Sequence, residues 1–102
     1  MILLIDDVRN VDADVICRNA AIAMDIICSQ HWDVIIFDHD LGHDQIDGYK
    51  LLGEYLEYYH CEAVIKLITA NPVGLQKMRD LLRDYGYTSK DGGFTFEYKE
   101  QY

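Results

Sequence analysis

Three short apolar runs constrain the fold most: ILLI at 2–5, VIIF at 34–37 and AVIKLITA at 63–70. The first two are continuous rather than alternating, the pattern of a strand buried on both faces, as in a parallel sheet, and the third, with Lys66 inside it, also reads as a strand. Each also gives way to polar residues: Asp6 and Asp7, then Asp38, then Thr69 with Asn71. Parallel strands need crossovers, and the sequence between the runs supplies helices. Asn19 can cap a helix from about Ala20 to Gln30, in which Ala20, Ala23, Ile27, Ile22 and Ile26 leave little polar surface. A helix from Gly48 to about His60 places Leu51, Leu52, Tyr55, Leu56 and Tyr59 on one stripe. Asn71 and Pro72 start a third, with a side-chain cap and then a proline where no amide partner is needed. It carries Leu75, Met78, Leu82 and Tyr85 inward and ends at Gly86.

Residues 13–17, ADVIC, read as a weaker second strand whose direction the sequence does not decide. KDGG at 90–93 is a turn and FTFEY at 94–98 a final strand. The expectation is a single α/β domain over residues 1–102, built on a mostly parallel, five-stranded sheet.

In open α/β sheets ligands bind outside the carboxyl ends of the strands. Asp6, Asp7 and Asp38 would converge there if their strands are neighbours, and like charges that close call for a hard cation held by oxygen ligands. Mg²⁺ is the expected one. The formal charge of −9 suits a cation and argues against sequence-independent binding to nucleic acid. A bridging metal would still let an acidic pocket accept a phosphate. Arg9 can offer a bidentate fork to that phosphate or pair with Asp6 or Asp7. Histidine is the side chain suited to proton transfer near neutrality, so His39 or His43 can supply a general acid or base, although His39 can equally make a structural hydrogen bond. Asp38, His39 and Asp40 form the candidate catalytic group, and Asn71 with the helix start behind it can cradle an anion. DHDLGHD is not an EF-hand loop, because His43 and Tyr49 stand where glycine and a bidentate glutamate are required.

IDDVR (5–9), FDHDLG (37–42), DGY (47–49) and ANPVG (70–74) resemble the receiver-derived family named for cyclic-phosphate processing, over Ile2 to about Tyr87. The wider pattern is similar to response-regulator receivers and implies a flavodoxin-like fold. In those domains the paired acids and the strand-three aspartate bind Mg²⁺, that aspartate accepts a phosphoryl group, and a Thr or Ser contacts it. These roles fall on Asp6, Asp7, Asp38 and Thr69. The receiver lysine has only a loose counterpart in Lys99. Ile68 and Thr69 stand where the family often has His-Ser, which removes a proton donor, and Asn10 and Val11 replace its prolines.

Against a five-helix receiver this chain is truncated, lacking the first and last helices, so one sheet face should be bare. Leaving ILLI and VIIF side chains in water costs about 1.5–3 kcal/mol each, which predicts a homodimer, with Lys66 marking where that face meets solvent. No run approaches a membrane span, and the start does not read as a signal peptide, so the cytoplasm is expected. Cys17, Cys28 and Cys61 match no zinc or disulfide pattern and read as reduced, buried thiols. The function expected is Mg²⁺-dependent binding of a small phosphate ligand, with hydrolysis or sensing of cyclic phosphates, either a cyclic nucleotide or 2′,3′-cyclic phosphate ends. The alternatives are a receiver phosphorylated on Asp38, or a non-catalytic module that sequesters a nucleotide or docks on a protein.

Overall fold

The computed structural model describes residues 1–6, 12–38, 48–58, 63–69 and 71–98. The chain order is β1 (Ile2–Ile5), β2 (Val15–Cys17), α1 (Ala20–Ser29), β3 (Val34–Phe37), α2 (Gly48–Tyr58), β4 (Val64–Leu67), α3 (Pro72–Asp84), β5 (Tyr87–Ser89) and β6 (Thr95–Tyr98). The strands form one sheet in the order β2-β1-β3-β4-β6-β5. From β2 to β4 it is parallel, which settles the direction of the second strand. β6 then pairs antiparallel with both β4 and β5.

Among the described residues the expected five-stranded, mostly parallel sheet is therefore corrected to a mixed sheet of six strands. The strand missed is β5, whose three residues YTS carry too little apolar pattern to register as a strand. It forms because the chain reverses on both sides of it. Gly86 leaves α3 at φ 88°, and Gly92 and Gly93 turn the hairpin at φ 84° and 99°, a region that glycine enters without a Cβ penalty.

Alternation along the strands sorts the side chains into two faces. Leu3, Ile5, Ile35, Phe37, Ile65, Leu67 and Phe96 join one buried core with Ala23 and Ile27 of α1, Leu51, Leu52 and Leu56 of α2, and Met78 and Leu82 of α3. The three described helices thus cover the same face. Both predicted caps are present: Asn19 accepts from the Ala21 N–H at 2.9 Å, and Asn71 accepts from Val73 and Gly74.

Three expectations about burial change. On the sheet's other face Leu4 and Ile36, expected in water, are buried within the single chain. Ile16 is the large apolar residue left exposed on that face among the described residues, and Lys66 is exposed as expected. Tyr85 is 42% exposed rather than inward, because α3 ends at Asp84 and the stripe ends with it. Cys17 is buried, but Cys28 is exposed near the end of α1, and Cys61 lies outside the described residues. Among those residues no helix is long and apolar enough to cross a membrane.

Candidate functional site

β1 is the strand at which the chain's direction of progress across the sheet reverses, since β2 lies on one side of it and β3 on the other. Such a switch point opens a crevice at the carboxyl ends. Asp6 and Asp38 flank it. Ile5 pairs with Phe37, and the ladder continues one step further through the Asp38 N–H to the Ile5 carbonyl at 3.2 Å. The Asp6 N–H likewise bonds the Cys17 carbonyl at 3.1 Å. The two acids are thus held side by side by backbone bonds.

Both are buried, Asp6 completely and Asp38 to 7% exposure, which is unusual for carboxylates because removing their charge from water is costly. Arg18 Nη1 lies 3.4 Å from the Asp6 carbonyl oxygen and brings a cation near. Two oxygen-donor acids at one strand edge suit a hard divalent ion, so the residues present fit Mg²⁺ in donor chemistry.

The third element of the edge is β4. The Ile68 N–H bonds the Phe37 carbonyl at 3.2 Å, and Thr69 comes next, buried. Its hydroxyl oxygen accepts the Asn71 N–H at 3.1 Å, so its own proton is left to donate. Asn71 Oδ1 in turn accepts from Val73 and Gly74 at 3.1 and 3.0 Å. This narrows the anion cradle expected at the helix start, because two of the first amides are already occupied by the cap.

The structure brings together Asp6, Asp38, Thr69 and Asn71. Asp7, Arg9, His39, Asp40 and His43 lie outside the described residues. β6 runs antiparallel to β4 and places Tyr98 toward the amino edge. Lys99 itself lies outside the described residues.

The edge gains instead from the other end of β6, which the sequence pattern did not reveal. Asp91 Oδ1 accepts from Ser89 Oγ at 2.9 Å, from the Phe94 N–H at 3.2 Å and from the Thr95 N–H at 2.9 Å. Donation from the Thr95 hydroxyl and N–H, reinforced by Ser89 and Phe94, holds the Asp91 carboxyl far below the usual range. Thr69, Ile68, Lys66, Asp91, Phe94 and Thr95 border one depression of about 410 Å³.

The family model described as the cyclic-phosphate processing receiver domain matches residues 1–84. The chain belongs to that family. No curated protein matches it. Among solved structures, one described as a yeast Spc42 trimeric coiled coil, amino acids 181–211, fused to another structure, is similar at a TM-score of 0.62 and 20% identity. The likeness covers 78% of this chain and 61% of that one, so the chain spans about three-fifths of its length, and it bears on the fold alone. The receiver match ends at the last residue of α3, and the antiparallel hairpin that completes the sheet lies beyond it.

Proposed function

We propose that this receiver domain binds a small cyclic phosphodiester at the carboxyl edge, in a Mg²⁺-dependent way, and hydrolyses it. The observation that supports the reading is the burial of Asp6 and Asp38 side by side at the switch point, next to Thr69. Asp6, Asp7 and Asp38 would hold the ion. Bound there, Mg²⁺ would supply charge neutralisation and Lewis-acid stabilisation of the phosphate. Thr69 would donate its hydroxyl proton to a phosphate oxygen, and Arg9 its guanidinium fork. Asn71, with Oδ1 committed to the cap, would contribute Nδ2. His39 or His43 would move the proton that attack by water releases.

Calorimetry with cyclic nucleotides and 2′,3′-cyclic phosphate ends, with and without Mg²⁺ and combined with product analysis, tests this. Metal-dependent binding with ring-opened product is the expected result. Binding without product would leave a sensor or sequestering module, which the Ile68 position favours because no histidine stands there. No binding in either condition would refute the phosphate reading. The placement of Asp38 and Thr69 at neighbouring strand ends also suits a phosphoacceptor. Acetyl phosphate with Mg²⁺ would then add one phosphoryl group to the chain but not to Asp38→Asn.

A further inference from the structure

Phe94 is 49% exposed, yet its surroundings hold it in place from several directions. Arg79 lies over its ring at 4.9 Å from the centroid, and Arg79 Nε donates to the Gly93 carbonyl at 2.8 Å. The Gly93 N–H bonds Ser89 Oγ at 2.9 Å, and Asp91 takes the N–H groups of Phe94 and Thr95. A Cβ at Gly93 would lie 2.5 Å from Arg79 Nε, so a side chain there would displace the arginine. A hairpin tip whose only duty was to reverse the chain would not require an aromatic ring in water with a guanidinium behind it. The exposed half of the ring gains nothing from burial, whereas a ring fixed beforehand loses little freedom when something flat stacks on it.

The position of the ring says what that would be. Phe94 and Thr69 border the same 410 Å³ depression, so a ligand whose phosphate meets Thr69 has its remainder within reach of the ring. We infer that Phe94 is a stacking platform for a nucleobase, and that the ligand class of this site is a nucleoside cyclic phosphate rather than a base-free one. Arg79, Gly93 and Asp91 are positioning residues for the ring. The inference rests on the phosphate reading of the carboxyl edge, but it has its own readout.

The test is a titration of the full chain, monitored by backbone amide NMR, with three probes: 2′,3′-cyclic AMP, adenosine and glycerol 1,2-cyclic phosphate. Adenosine at millimolar concentration should shift the Phe94 and Thr95 amides, and cyclic AMP should bind more tightly than the glycerol ester. Phe94→Leu, which keeps apolar bulk and the fold, should weaken cyclic AMP roughly 5- to 150-fold while leaving the glycerol ester within about twofold. Phe94→Tyr should restore the affinity. If cyclic AMP and the glycerol ester bind alike, or Phe94→Leu weakens both equally, the platform is refuted and the phosphate site stands. If adenosine shifts Phe94 in the wild type and not in Phe94→Leu while the glycerol ester fails to bind, the platform stands and the phosphate reading falls.

Discussion

Replacing Asp6 with Asn should make the metal-free protein more stable and remove most of what magnesium adds. The sheet register places Asp6 and Asp38 on adjoining strands, about 4.8 Å apart at the backbone. Both are shielded from water. If their carboxylates stand at a spacing of that order and both are ionised, they would repel by about 3.5 kcal/mol at an effective dielectric constant of about 20. Arg18, reaching the Asp6 carbonyl, offsets part of this, so neutralising Asp6 should relieve about 1–2 kcal/mol. In a domain of this size each kcal/mol moves Tm by about 4–8 °C. The wild type should gain about 1.4 kcal/mol from magnesium at ten times its Kd, and the variant much less. Thermal unfolding by circular dichroism, in EDTA and in magnesium at matched ionic strength, reads both effects. A variant with a lower Tm in EDTA, or with the wild-type magnesium increment, would show that the two acids do not share an ion.

Asn71→Ala removes the acceptor for two α3 amides and should cost about 1 kcal/mol in chemical denaturation, without a change in the denaturant slope. Gly93→Ala must take a φ of 99° and displace Arg79, so it should destabilise by more than about 1 kcal/mol and raise the mobility of Phe94 in NMR relaxation. Leu82→Ala, at a fully buried α3 position, should cost about 2–5 kcal/mol in the same denaturation assay. Asp91 has its carboxyl lowered in the folded state by Thr95, Ser89 and Phe94, so its contribution is complete above the ordinary carboxylate range. It is lost as pH falls through the lower folded value. The stability gap between wild type and Asp91→Ala should therefore be constant near neutrality and close in acid, as measured by thermal unfolding from pH 6 downward.

The parts of the fold that were legible are those in which local and tertiary signals agree. ILLI and VIIF carry no polar residue to contradict a two-sided burial, and both became central strands. Asn19 and Asn71 each combine a capping side chain with an apolar helix directly after it, and both cap in the structure. Tyr87–Ser89 failed because a three-residue edge strand is set by its partner and by the glycine turns around it, not by its own pattern. Asp6, Asp38 and Thr69 could be placed at one edge from strand ends alone. The Asp91–Phe94 side of that edge could not, because it depends on the direction of the last strand, which short apolar runs do not encode. An odd turn, KDGG, leading into alternating FTFEY was the available sign of a hairpin rather than a crossover.

That direction decides what the sheet can present to a ligand. A parallel strand delivers to the carboxyl edge only the residues at its trailing end, and β1, β3 and β4 deliver Asp6, Asp38 and Thr69. A fifth parallel strand would have added one more trailing residue. β6 enters from that edge instead: Thr95 pairs with Lys66, and the Leu67 N–H reaches the Phe94 carbonyl at 2.8 Å. The edge therefore receives a strand's beginning, and with it the turn that fixes Asp91, Gly93 and Phe94 relative to one another. The parallel half gathers negative charge around the switch point, and the antiparallel half supplies a rigid ring and a borrowed guanidinium beside it. On the proposed reading, a cation with a phosphate would sit against the first half and a planar group against the second. The two join at Thr69, whose backbone belongs to the parallel half and whose depression opens onto Phe94.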